Sequence, residues 1–240
     1  TKQRIGEVMK ICGLQKTTLL DYPGYVAATI FLGGCNFRCP FCQNSQLLEE
    51  DAPWVYSQNE ILSFLSKRKG ILEGVCVTGG EPTLSPRLPD FLSKIKDLGF
   101  LIKLDTNGSR PDALRFLVRQ KLVDYVAMDI KAGRDNYKKA AGISSLSLSQ
   151  IEESVKFLME GTVSYEFRTT AVKGIHTEKD FMDIRLWIKG CPHYYIQNYV
   201  ESENVLQPVF QSFSRPELEN FASLMSSYVE TVILRGVENY

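Results

Sequence analysis

The chain has 240 residues, 44% hydrophobic and 23% charged, and its 28 Lys and Arg balance its 28 Asp and Glu. That is enough apolar material for one large domain with its own core, and the zero net charge argues against the broad positive field of a nucleic-acid or membrane-surface binder. No apolar run reaches the roughly 20 residues of a bilayer span, and residues 1–10 hold no secretory apolar core. A cytoplasmic location with neither nucleic acid nor membrane as partner is expected.

Residues 26–32 (VAATIFL) are a short apolar run stopped by Gly33 and Gly34, which predicts a buried strand. Residues 57–67 put Ile61, Leu62 and Leu65 at helical spacing behind a capping box of Ser57 and Glu60. Residues 74–78 predict a second strand ending at Gly79 and Gly80. A helical stripe of Leu88, Phe91, Leu92, Ile95 and Leu98 follows, stopped by Gly99. Residues 100–104 predict a third strand, 111–120 a helix opened by Pro111, and 125–130 a fourth strand. The alternation then continues less sharply. Ile151, Val155, Leu158 and Met159 suggest a helix, residues 164–172 a strand, and Phe181, Ile184, Trp187 and Ile188 another helix. Residues 194–200 suggest a sixth strand, 201–214 are largely polar and irregular, 216–228 are helical, and 229–234 suggest a last strand.

Repeated strand–helix units predict an α/β fold with parallel strands and right-handed crossovers. An open doubly wound sheet and a partial (β/α) barrel both satisfy the pattern, and both place function at the C-terminal ends of the strands. Cys35, Gly79, Gly80, Glu81, Asp105, Asp129 and Lys131 all fall at such ends.

Cys35, Cys39 and Cys42 form a C-x3-C-x2-C pattern on the loop after the first of these strands. Three thiolates this close suit one soft metal centre. A closed zinc site needs a fourth ligand, and His176, His193, Cys12, Cys76 and Cys191 are all distant in sequence. Three local ligands therefore favour an iron–sulfur cubane with one iron left open. A zinc knuckle that borrows a distant ligand is the alternative. Cys12, Cys76 and Cys191 read as small buried hydrophobes.

The C-x3-C-x2-C pattern with aromatic Phe41 before its third cysteine resembles the signature of the radical S-adenosylmethionine superfamily. Residues 13–24 (GLQKTTLLDYPG) together with 34–44 (GCNFRCPFCQN) resemble the anaerobic ribonucleoside-triphosphate reductase activating proteins. Asp105-Thr106-Asn107-Gly108 and Met128-Asp129-Ile130-Lys131 resemble the pyruvate formate-lyase activating enzymes. The likeness runs from about Met9 to Asn198, with residues 1–8 as an upstream extension.

This resemblance implies a partial (β/α)6 barrel over residues 25–200, in a single domain with extensions at 1–24 and 201–240. It implies a [4Fe–4S] cluster on Cys35, Cys39 and Cys42, and S-adenosylmethionine as cofactor. Phe41 would pack on the adenine, and Gly79, Gly80 and Glu81 would receive the amino group of the methionine moiety. Asp105, Thr106 and Asp129, with the Ala127 carbonyl, would hold a monovalent cation. On their own chemistry Lys131 and Arg168 suit carboxylate or ribose groups, or are solvated charges. Asp105 has a structural alternative, opening an Asx-turn before Asn107 and Gly108.

The partner implied is a glycyl-radical enzyme, first an anaerobic ribonucleoside-triphosphate reductase and second one of pyruvate formate-lyase type. The electron would come from a flavodoxin or ferredoxin. No cysteine-rich insert lies between Cys42 and Gly79, and only Cys191 follows, so ligands for an auxiliary cluster are lacking. A small-molecule enzyme resembling 7-carboxy-7-deazaguanine synthase and a zinc-stabilised binding module are the competing functions.

Overall fold

A computed structural model describes residues 9–49, 52, 54–202 and 205–237; the expected extension at 1–8 lies outside them. In chain order the elements are β1 (Ile11–Thr18), β2 (Ala27–Leu32), α1 (Gln58–Ser66), β3 (Gly74–Gly79), α2 (Leu88–Asp97), β4 (Leu101–Thr106) and α3 (Pro111–Arg119). Then come β5 (Tyr125–Asp129), α4 (Tyr137–Ala141), α5 (Leu148–Met159), β6 (Ser164–Ala171), α6 (Glu178–Trp187), β7 (His193–Asn198), α7 (Arg215–Met225) and β8 (Thr231–Arg235). The eight strands are ordered β1 to β8 in one sheet that does not close. Sequence order with helical crossovers is the arrangement the repeated strand–helix units predict.

The chain divides into two compact units. Of the described residues, the first holds those up to Asn36 with those of Gln46–Thr106 and Arg110–Val126; the second holds Phe37–Ser45, Asn107–Ser109 and those from Ala127 onward. In the first unit β2, β3 and β4 pair in parallel, Ala27 opposite Gly74 and Gly74 opposite Leu101. Their side chains are buried on both faces, Ile30, Val77 and Leu104 on one and Thr29, Cys76 and Lys103 on the other. A strand covered on both faces reads as a continuous apolar run rather than an alternating one, which is why residues 26–32 and 74–78 were legible. Strand β1 runs antiparallel to β2 and was not expected. Its sequence, ICGLQKTT, is half exposed and non-alternating, the composition of an edge strand.

In the second unit β6, β7 and β8 pair in parallel, Phe167 opposite Tyr194 and His193 opposite Thr231. Stacked rings of Phe181 in α6 and Phe221 in α7, 4.2 Å apart, pack the helices that follow the strands. Helix starts follow local chemistry. Ser57 and Glu60 form the expected capping box at α1, and Thr177 with Asp180 and Ser214 with Glu217 do the same at α6 and α7. Each satisfies N–H groups that the first helical turn leaves without partners. The five-residue α4 has too short a pattern to be read from sequence. Among the described residues no helix is long and apolar enough to cross a membrane.

Candidate functional site

In the first unit the tips of β2 and β3 are joined by backbone. Gly80 N–H donates to Leu32 O and Glu81 N–H donates to Gly34 O, each at 2.8 Å. Cys35 N–H donates to Leu48 O at 3.2 Å, fixing the start of the cysteine loop from its other side. Glycine is required on this seam. A Cβ on Gly79, whose φ is +118°, would lie 2.3 Å from Leu32 O. A Cβ on Gly80 would lie 2.0 Å from Gly34 O and 3.3 Å from Cys35 Cβ. The Gly79-Gly80 turn thus packs directly against the segment that leads into Cys35.

Glu81 is buried, 2% exposed. Its Oε1 accepts from Thr83 N–H at 3.1 Å, from the Thr83 hydroxyl, and from Thr106 Oγ1 at 2.8 Å. It caps the 3-10 turn Pro82–Leu84, so this carboxylate has a structural duty whatever else it binds.

Asn107 opens an Asx-turn, its Oδ1 accepting from Ser109 N–H at 2.9 Å. The Asp105 carboxylate receives the ammonium of Lys103, and Cys76 Sγ lies 3.7 Å from its Oδ1. Lys103 is 1% exposed, and nothing local marked it as functional. Lys103 and Asp105 are two apart on β4 and so share a face. That spacing was the one available signal.

In the second unit the loop carrying Cys39 and Cys42 is held on two sides. Arg38 N–H donates to Ala141 O at 2.9 Å. From the C-terminal segment, Leu206 N–H donates to Cys42 O at 3.2 Å and Gln207 N–H to Pro40 O at 2.8 Å. Gln43 Nε2 reaches Val200 O at 2.6 Å, a tether invisible in sequence because its partner is far along the chain. Cys42 N–H closes a turn on Cys39 O at 3.0 Å. Burial pushes the Cys42 thiol above its ordinary value, against the opposing pull of a backbone hydrogen bond at Asn44 and of Lys131. A bound metal displaces such a proton. Phe41 is buried with its ring edge-on to His176, centroids 5.9 Å apart.

The tip of β5 gathers charge in the same unit. Asp129 takes Arg168 Nε on one oxygen and Lys131 Nζ at 2.8 Å on the other. Burial works to raise the Asp129 carboxyl, but Arg168 and then Lys131 outweigh it and hold it well below the usual range. Burial likewise works to lower Lys131, and Asp129 more than reverses it. Two cations on one carboxylate leave this group with a net single positive charge. Lys131 and Arg168 are therefore paired, not merely solvated. His176 was set aside as distant in sequence, yet it packs under this tip. Its Nδ1 accepts from Val172 N–H at 3.0 Å and its Nε2 lies 2.7 Å from Lys131 O. This pairing fixes the neutral tautomer with the proton on Nε2, and burial lowers its pKa.

Cys35 belongs to the first unit and Cys39 and Cys42 to the second. None of them is in a disulfide. Among the described residues no group of three His, Cys, Asp or Glu is gathered closely enough to hold one metal ion. A cubane binds each thiolate to a different iron, so its ligands stand farther apart than those of a single ion. Three thiols within eight residues of sequence suit such a cluster.

An α/β sheet with parallel strands and a three-cysteine loop at their C-terminal ends defines the class, and comparison with known proteins agrees. Residues 29–188 match the Radical SAM superfamily model, and the chain belongs to that superfamily. It is a radical S-adenosylmethionine enzyme, and its cofactors are a [4Fe–4S] cluster and S-adenosylmethionine. A protein of Methanocaldococcus jannaschii, named "Putative glycyl-radical enzyme activating enzyme", is 30% identical over 234 residues, covering 95% of this chain and 96% of that one. The 7-carboxy-7-deazaguanine synthase of Methanopyrus kandleri is 23% identical over 215 residues, covering 79% of this chain and 80% of that one. In fold the chain is similar to Streptococcus suis SuiB bound to S-adenosylmethionine, with a TM-score of 0.67 at 13% identity. That likeness covers 84% of this chain and 48% of SuiB, so the chain spans about half of that protein.

Proposed function

We propose that this enzyme generates a glycyl radical on a partner protein, with an anaerobic ribonucleoside-triphosphate reductase as the first partner and a pyruvate formate-lyase-type enzyme as the second. The observation that carries this reading is the end-to-end match to the Methanocaldococcus jannaschii relative, which leaves neither chain a long unmatched segment. When bound, the cluster and S-adenosylmethionine supply reductive carbon–sulfur cleavage and hydrogen-atom abstraction. The protein's own residues bind and orient. Cys35, Cys39 and Cys42 are the proposed ligands, on their spacing. Gly79 and Gly80 offer a backbone that approaches closely, and Glu81 supplies a carboxylate for an ammonium. The net positive Asp129–Lys131–Arg168 group suits a carboxylate or a ribose hydroxyl. Phe41, buried against His176, serves by holding the turn between Cys39 and Cys42. The electron comes from a small external carrier such as a flavodoxin or ferredoxin.

The test is anaerobic. Reduced, cluster-loaded enzyme is mixed with S-adenosylmethionine and each candidate partner, and electron paramagnetic resonance is recorded. A stable, oxygen-sensitive glycyl radical on the partner is expected, with slow cofactor cleavage when no partner is present. The match to 7-carboxy-7-deazaguanine synthase over four-fifths of each chain supports a second reading, a small purine-like substrate. Rapid turnover of such a substrate, with no radical on either partner, would replace the first reading with the second.

A further inference from the structure

Lysine is rarely buried unless it is paired, and Lys103 is buried about as completely as a side chain can be. Its surroundings follow from sheet register. Thr29 on β2 lies opposite Cys76 on β3, which lies opposite Lys103 on β4. In-register neighbours in a sheet present their side chains to the same face, so a polar row crosses three strands between the aliphatic rows Ala28–Val75–Ile102 and Ile30–Val77–Leu104. Thr29 gives its hydroxyl proton to Asp21. Cys76 Sγ sits 4.0 Å from Lys103 Nζ and 3.7 Å from Asp105 Oδ1. Lys103 Nζ meets Asp105 Oδ1 directly, with side-chain exposures of 1% and 12%. The residue after Asp105, Thr106, turns its hydroxyl to Glu81.

From this geometry we infer that the Lys103 ammonium is the resident monovalent cation of Asp105. The sequence led us to expect a metal cation at Asp105, Thr106 and Asp129. At Asp105 a positive charge of the same valence and similar size to potassium is already supplied by the chain, two residues away on the same strand. A covalently tethered ammonium needs no binding from solution and cannot exchange, so wild-type Asp105 does not recruit sodium or potassium. Without Lys103 the buried carboxylate loses the ammonium that meets its Oδ1. The vacated space, beside a carboxylate oxygen and a thiol, then takes up a monovalent ion. The inference concerns Asp105 and its strand, so it stands whichever substrate the enzyme acts on.

The experiment uses the full chain with its cluster, without substrate or partner protein. Thermal unfolding is measured at equal ionic strength in choline, sodium, potassium and ammonium chlorides. Thallium(I) is titrated against the same proteins by thallium-205 magnetic resonance. Wild type is expected to have the same Tm in all four salts and no saturable thallium site that depends on Asp105. Lys103→Met is expected to lose about 6–20 °C in choline. It should regain part of that loss in potassium or ammonium, and bind thallium saturably. Lys103→Met combined with Asp105→Asn should recover stability and lose the cation response, because neither charge is then left alone. A wild-type thallium site that disappears in Asp105→Asn would overturn the inference, and that comparison does not need Lys103→Met to fold. So would a Lys103→Met protein whose cation response equals that of the double variant.

Discussion

Gly80→Ala isolates the seam between the glycine turn and the cysteine loop. The backbone of Gly80 is not in the left-handed region, so the substitution acts through space and not through φ. The new Cβ would lie 2.0 Å from Gly34 O, where ordinary contact begins near 3.4 Å. The two strand tips must separate by about 1.4 Å, or one must twist. Both obstructing groups are backbone, so no side chain can rotate away. Overpacking of this kind costs about 1–3 kcal/mol. Separation also breaks the 2.8 Å bond from Glu81 N–H to Gly34 O, and orphaning a buried amide costs about 1–3 kcal/mol more. A total near 2–6 kcal/mol is large against a domain stability of about 5–15 kcal/mol. The assay is urea unfolding of the purified protein, with iron content after anaerobic reconstitution as the second readout, since the strain falls on the segment leading into Cys35. Gly70→Ala is the control. Its φ is +79° with nothing within 4 Å, so only conformational strain of about 1 kcal/mol is expected. A Gly80→Ala protein as stable as wild type, with full iron content, would refute the steric argument.

Three further outcomes follow from the site. Cys35→Ala, Cys39→Ala and Cys42→Ala should each lose iron–sulfur absorbance and S-adenosylmethionine cleavage, while Cys191→Ala, a buried position away from the loop, retains both; one loop variant with a complete cluster and normal turnover would remove that residue from the ligand set. Asp129→Asn leaves Arg168 and Lys131 facing each other without their shared anion. It should destabilise by about 2–4 kcal/mol in chemical denaturation, and a neutral result would mean that the two cations find other partners. The third concerns pH. Burial depresses the folded pKa of His176 below the unfolded value of about 6.5, while its Nδ1 accepts from the Val172 amide. The unfolded chain therefore binds the proton first, so this residue's contribution is complete above about pH 6.5 and shrinks as pH falls toward the folded pKa. Unfolding free energies measured from pH 8 to 5 should fall more steeply in wild type than in His176→Gln; parallel slopes would dismiss the histidine's part.

Most of the elements could be read from the chain because their causes are local. Apolar runs bounded by glycine marked β2 and β3, a helical stripe behind a capping box marked α1, a stripe stopped by Gly99 marked α2, and the strand–helix alternation predicted the parallel sheet. The spacing of Cys35, Cys39 and Cys42 pointed to the cluster before any fold was known, because three thiolates within eight residues suit one centre whatever surrounds them. What escaped was set by partners distant in sequence. Strand β1 lacks a readable pattern because only its pairing with β2 makes it a strand. His176 looked remote from Lys131 until the fold set its ring against that carbonyl. Asp105 offered a carboxylate to any cation. Only cross-strand register, with Thr29, Cys76 and Lys103 side by side, put a buried ammonium there. Local periodicity determines which residues become strand or helix; which charge meets which is decided when strands align, and at Asp105 that alignment supplied the cation.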